Sequence, residues 1–239
     1  MKAINPPSQI ENQLKKEAFY GCIICGCPVL EFVNIMRQDV GVFLPENIVA
    51  LCPNHINKYN NSELQESQLR DAKIRPYNRT HEQSAFTISS SDITINVGKC
   101  KFVNTARILV IDDFDIITIK RDSENSKYVL FDVNIFDSLN NLKAMVSENS
   151  WHHEGTDMDW TIDYEPRHLL IQKSGSLFFD AKIDNNSGEL TLLADGFHYN
   201  GSLIQITQTE ILVDNEEIAL DLKGASMKNY EAGILFQTR

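Results

Sequence analysis

The spacing of apolar residues changes near residue 85, and the change divides the chain. In the first part Ile10, Leu14 and Ala18 recur at i, i+4, i+8, the stripe of an amphipathic helix. Pro6 and Pro7 precede this stripe, Ser8-Gln-Ile-Glu11 fits a capping box, and Lys15-Lys16 suits the negative end of the helix dipole. A second helix is predicted over residues 62–73, opened by the capping-box pattern Ser62-Glu-Leu-Gln65 and stopped by Pro76. Residues 77–88 are polar and read as a connector.

Beyond the connector the period falls to two. Short β-branched or alternating segments lie at 87–88, 93–97, 101–103, 107–111, 116–119, 128–135, 160–164, 169–172, 177–183, 189–193, 202–207, 211–213 and 217–222. Turn residues separate them, as at Gly98-Lys99, Asp184-Asn-Asn-Ser-Gly188 and Asn200-Gly201. Many short strands joined this way predict an all-β region. The pattern leaves open a sandwich, a rolled sheet or a solenoid-like sheet, and no fixed repeat length favours one of them. The expected class is α+β, with a small N-terminal domain over 1–80 and a β-rich domain over 85–239.

A chain of 239 residues has room for one or two such domains. Its apolar runs, such as Ile108-Leu-Val-Ile111, fall far short of the ~20 residues of a membrane helix. The first residues form neither a signal peptide nor an Arg-rich presequence, so a soluble cytoplasmic protein with no membrane partner is expected. Five cysteines are too few for a disulfide scaffold, and the odd number also suits a reducing compartment.

Net charge is −11, unevenly spread. Residues 1–80 carry nine Lys and Arg against eight Asp and Glu; the remainder carries thirteen against twenty-five. The acidic part repels phosphate backbones, which disfavours broad nucleic-acid contact there. Lys58, Arg70 and Lys73 in the first part are the candidates for touching phosphate, with a solvated helix face as the alternative.

Four of the five cysteines lie between residues 22 and 52. Cys22-Ile-Ile-Cys25 is followed, after 26 residues, by Cys52-Pro-Asn-His55. Two Cys-x-x-(Cys/His) pairs present four soft ligands, a tetrahedral Cys₃His set suited to a structural Zn²⁺. Gly26 sits where such a turn tolerates positive φ. Cys27 is a substitute ligand, and Cys100, alone among strands, reads as core.

These residues resemble the HNH family of treble-clef nucleases. The likeness runs over about residues 20–76, through Cys22-Ile-Ile-Cys25, Pro45-Glu-Asn47-Ile and Leu51-Cys52-Pro-Asn-His55. It implies a treble-clef zinc domain with a short helix after the second pair. It also implies a catalytic set from which this chain departs. Asn34 stands where the family has its general-base His, and an amide cannot take a proton from water near neutral pH. Val33 replaces a frequent acidic metal ligand. Ile56 replaces a second His and cannot hold a cation. Asn47 matches the family's middle Asn.

Other signals have plain readings. Asp112-Asp-Phe-Asp115 could gather a cation but reads better as a solvated hairpin turn. Trp151-His-His-Glu154 with Asp157 and Asp159 holds ligand types without strict spacing and reads as a polar loop. His168 and His198 read as structural. The expected function is therefore a non-catalytic HNH-like zinc module fused to an acidic β-rich domain that binds a protein partner. A divergent metal-dependent nuclease and a nucleic-acid binder acting through the N-terminal domain are the alternatives.

Overall fold

The structure, a computed structural model, describes residues 3–36, 42–82, 85–153, 160–214, 216–217 and 226–238. It is mixed α+β and mostly strand. The chain separates into two compact units: residues 1–86 with Ile162–Pro166, and residues 87–161 with 167–239.

The first unit begins with helix α1 (Ser8–Glu17). Leu14 and Ala18 are buried as the stripe requires. The cap differs from expectation. Pro7 is the N-cap residue and no side chain caps the helix, so Ser8 already lies inside the first turn. Two strands follow, β1 (Glu31–Asn34) and β2 (Ile48–Leu51), paired antiparallel with Glu31 opposite Leu51 and Asn34 opposite Ile48. A 3₁₀ turn (Pro45–Asn47) leads into β2. Every residue of β2 is buried, as its unbroken Ile-Val-Ala-Leu run demands.

Helix α2 (Pro53–Asn60) starts directly after β2, with Cys52 as N-cap and Pro53 at the first helical position, where a missing N–H costs nothing. The predicted helix over 62–73 starts four residues late, as α3 (Glu66–Ile74). Ser62 takes φ +63 in the preceding turn and cannot cap. The reciprocal box is made by Gln65 and Gln68 instead. The connector contains a further turn of helix, α4 (Tyr77–Thr80).

The strand-rich part comprises β3 (Thr94–Val97), β4 (Cys100–Val103), β5 (Arg107–Ile111), β6 (Phe114–Arg121), β7 (Val129–Phe136), β8 (Leu142–Ser147) and β9 (Ser150–His153). It continues with β10 (Trp160–Glu165), β11 (His168–Lys173), β12 (Ser176–Ile183), β13 (Leu190–Tyr199), β14 (Ser202–Ile206) and β15 (Ile211–Val213). The last are β16 (Glu216–Glu217), β17 (Ser226–Lys228) and β18 (Ala232–Phe236). The predicted strand over 217–222 extends beyond the described residues.

The main path through the sheet runs β11-β12-β13-β7-β6-β5-β18. Most neighbours are antiparallel hairpin partners. Among the described residues three pairings are parallel: β3 with β13, β17 with β4, and β18 with β5. Strands such as β3 and β14 alternate buried and half-buried residues, which is the period-two pattern in space. Phe102, Phe131, Phe179 and Phe197 are fully buried, and Phe131 meets Phe179 edge to face at 6.3 Å.

Two turns correct or explain the sequence reading. Segment 151–153, read as loop, is strand β9. Its hairpin turn is Glu148-Asn149, both with positive φ. Asn149 makes this turn stable by reaching β7: its amide donates to Val129 O at 3.0 Å and accepts from Phe131 N at 2.7 Å. The Asp112-Asp113 turn is left-handed at both residues, the backbone that a two-residue hairpin wants. Asp112 accepts hydrogen bonds from Thr238 Oγ1 at 2.6 Å and Asn200 Nδ2 at 2.7 Å. Bonds from Thr238 and Asn200 hold its carboxyl below the usual range.

Glu31 is a cost built into β1. It is 9% exposed, and its side chain has no hydrogen bond or ion pair among the described residues. Burial lifts its carboxyl to about 7. The folded state therefore holds this proton more tightly than the unfolded chain, whose carboxyl titrates near 4.5. That advantage is complete below the unfolded pKa and is lost as pH rises through the folded one. Glu31→Gln should stabilise the protein near pH 8 by up to ~3 kcal/mol, with the gain shrinking toward zero near pH 4. Thermal melts of both proteins at the two pH values check this. An equal gain at both would contradict it.

Candidate metal centre

Three local structures deliver four donor atoms to one point. The first is the turn at Cys22–Cys27, closed by Cys22 N–H to Cys27 O and Gly26 N–H to Cys22 O, both 2.8 Å. Gly26 has φ +79, as the sequence required, and a Cβ there would collide with Asn78 and Tyr77. The second is the β1–β2 hairpin. Ile23 N–H donates to Ala50 O at 3.1 Å, which ties the turn to β2. The third is the first turn of α2, where His55 N–H returns to Cys52 O at 2.9 Å and brings both side chains to one side.

The result is a compact cluster. The Sγ atoms of Cys22, Cys25 and Cys52 and a ring nitrogen of His55 all lie within 4.8 Å of one another. Cys25 and Cys52 sulfurs are 3.8 Å apart. His55 turns Nδ1 toward them, 3.6 Å from Cys22 Sγ and 3.2 Å from Cys52 Sγ. A tetrahedral ion with sulfur at ~2.3 Å and nitrogen at ~2.0 Å has S···S edges of about 3.8 Å and S···N edges of about 3.5 Å. The Cys25–Cys52 and Cys22–His55 separations stand at those edges, and the Cys52–His55 separation is about 0.3 Å shorter. The cysteines are free, so no disulfide competes for the sulfurs.

Crowding sets the protonation. Burial opposes ionisation of Cys22, but hydrogen bonds from Cys25, Cys52 and His55 outweigh it and hold this thiol well below its usual range. Hydrogen bonds to Cys22 and Cys52, then burial, push Cys25 up. The hydrogen bond to Cys22 is the chief cause pushing Cys52 up. One negative charge is tolerated, and further thiolates require a cation. The cluster can thus hold a thiophilic metal ion, and among the described residues it is the one group of three or more His, Cys, Asp or Glu arranged to do so.

Other expected positions resolve as follows. Cys27 is outside the four-atom set; it is buried, its Sγ lies 3.7 Å from Val29 O, and burial pushes its thiol up. Cys100 is core in β4. Asn34 ends β1 half-buried, with Oδ1 buried and without a partner among the described residues. Asn47 is adjacent, its carbonyl accepting from Ile35 N–H at 2.8 Å. Ile56 is packed inside at 6% exposure, on the face of α2 turned to the core. Lys73 is engaged with Ile48 O at 2.7 Å and Glu17 at 3.2 Å, and Arg70 with Glu66 at 2.7 Å. Lys58 is exposed near the end of α2. Of the loose His/Asp segment, His152 and His153 lie on β9, while Glu154, Asp157 and Asp159 lie outside the described residues.

The sequence reading missed Asn78. It is 1% exposed and donates from Nδ2 to Phe19 O at 3.0 Å and Gly26 O at 3.5 Å, clamping the cysteine turn from α4. Only its place just after Pro76-Tyr77 hinted at an ordered contact. No family model, curated protein or solved structure matches the chain.

Metal uptake should release protons, because thiols that stay protonated in the crowded cluster must ionise to bind. Calorimetric titration with Co²⁺ in buffers of different ionisation enthalpy should give about two protons per ion. Release of none would show that the cysteines are not the ligands.

Proposed function

We propose that the first unit is a structural zinc module of treble-clef, HNH-like type, and that it has lost hydrolytic chemistry. The observation that carries this reading is the convergence of four donor atoms within 4.8 Å of one another, with separations of 3.8, 3.6 and 3.2 Å near the edges of a tetrahedron. Four protein ligands close such a site, leaving no position for water or substrate, which is the mark of a structural zinc. Zinc suits three thiolates and an imidazole and needs no redox partner. The order of parts supports the treble-clef reading: a two-cysteine turn, a two-stranded hairpin, then a helix that carries the last two ligands.

Two positions support the loss of catalysis. An HNH-type hydrolysis needs a base for the attacking water and a cation at the leaving oxygen. Asn34 offers an amide where the base would stand. Ile56 packs its side chain into the core, so that position neither ligates nor faces substrate. The acidic strand-rich part then serves to bind a protein partner. Its charge disfavours nucleic acid, and Arg70 and Lys73 in the first unit are already committed to carboxylates. Lys58 is left as the exposed basic side chain of the three.

Metal analysis of protein purified without chelator should find one zinc per chain. Cys25→Ser and Cys52→Ser should each lose it and unfold the first unit, because binding and folding are coupled in such modules. Absence of zinc from the unmodified protein would overturn the reading. A plasmid-cleavage assay with Mg²⁺ or Mn²⁺ should stay at background, since loss of a general base alone costs ~10²–10⁴-fold. Metal-dependent cleavage abolished by Asn47→Ala would show an active divergent nuclease instead.

A further inference from the structure

Strand β13 changes partners along its length. Its first half pairs with β12 as far as Ala194 opposite Phe179. Its second half meets β7, with His198 opposite Phe136. Between the two, the register against β14 slips at Asp195-Gly196, and Gly196 takes φ +73. This is a β-bulge with glycine in the left-handed position. Beyond Phe179 the start of β12 keeps β11 as its one strand partner among the described residues, with Leu177 opposite Gln172 and Ser176 opposite Lys173. The sheet therefore splits, and a cleft of about 420 Å³ opens between the end of β7, the start of β12 and the bulge. That is the size of a small-molecule site.

The lining combines flat aromatic surface with hydrogen-bonding groups of both signs. Trp160 is half-exposed in the cleft, set edge to face against Phe178 at 5.3 Å and against Trp151 at 5.7 Å. Lys173 Nζ lies 5.1 Å from the indole centre. Charge is balanced. Asp137 is paired with Lys143 at 3.1 Å and accepts from Leu139 N–H and Asn141. Asp195 takes one bond from Gln205 at 2.8 Å through Oδ1. Its Oδ2, the Trp160 indole N–H and the His198 ring nitrogens have no partner among the described residues.

We propose that this cleft binds a neutral carbohydrate, with a pyranose ring against Trp160. A pyranose presents an apolar C–H face and a rim of hydroxyls that both donate and accept. Trp160 supplies the flat apolar surface, Asp195 Oδ2 accepts from hydroxyls, and Lys173 and the indole N–H donate to them. Lys173 swings from the indole face to the rim as the ring stacks, on a flexible stem with several rotatable bonds. A small anion meets Asp137 and Asp195, and a cation meets Lys143 and Lys173, so neither sign of charge is selected. The inference is independent of the zinc reading, since no cleft residue belongs to the metal cluster.

The test uses the full chain and four disaccharides: maltose, cellobiose, lactose and N,N′-diacetylchitobiose. Titration followed by tryptophan fluorescence and by saturation-transfer NMR should show saturable binding of at least one, with Kd at or below about 1 mM. Trp160→Ala should weaken that binding by at least ~10-fold, and Asp195→Asn, which keeps the side-chain shape, by ~3-fold or more. Far-UV circular dichroism separates a lost site from a lost fold. Tetramethylammonium and inorganic phosphate serve as charged probes. Saturable binding of either in place of the sugars would overturn the proposal. So would no sugar binding up to about 10 mM, or binding that Asp195→Asn and a folded Trp160→Ala leave unchanged.

Discussion

Three sulfurs and one imidazole nitrogen are packed within 4.8 Å of one another, in a region where burial works against charge. Without a cation that packing is a cost, because only one sulfur can ionise and its neighbours must hold their protons. With a dication the same geometry becomes favourable. The turn, hairpin and helix that bring the atoms together are also held by the buried residues of β1 and β2 and by the Asn78 clamp, but each is short. The β1–β2 hairpin has four residue pairs, and α2 has eight residues, too few for a helix to persist alone in water. A bound ion would therefore add to the organisation of the first unit.

Locality in the chain explains which parts of this unit were legible. Ligand spacing is a local property, and both pairs stand where the sequence put them. The positive φ of Gly26 was legible for the same reason. Caps were not. Ser8 and Ser62 both begin capping-box patterns, yet Pro7 starts α1 one residue early and a left-handed Ser62 delays α3 to Glu66. At α3 the Gln65–Gln68 box takes over the capping that Ser62 offered, whereas α1 starts with no side-chain cap. The Asn78 clamp was hidden because its partners, Phe19 and Gly26, are more than fifty residues away.

In the strand-rich unit, alternation marked most strands, and it failed for two physical reasons. The β8–β9 hairpin turns through Glu148-Asn149, without the glycine that flags such turns, because Asn149 gains hydrogen bonds to β7 in exchange. Strands β17 and β18 pair parallel with β4 and β5, more than a hundred residues earlier, and no local pattern announces so distant a partner. The split between β12 and β7 was equally silent. His198 read as an isolated structural residue, and only the changed partnership of β13 places it beside Asp195 and Trp160 in one cleft.

The central claim is that Cys22, Cys25, Cys52 and His55 surround one zinc ion. X-ray absorption at the zinc edge of the purified protein tests it most directly. The account predicts a four-coordinate shell of three sulfurs at ~2.3 Å and one nitrogen at ~2.0 Å. A shell of oxygen and nitrogen alone, or a six-coordinate ion, would contradict it.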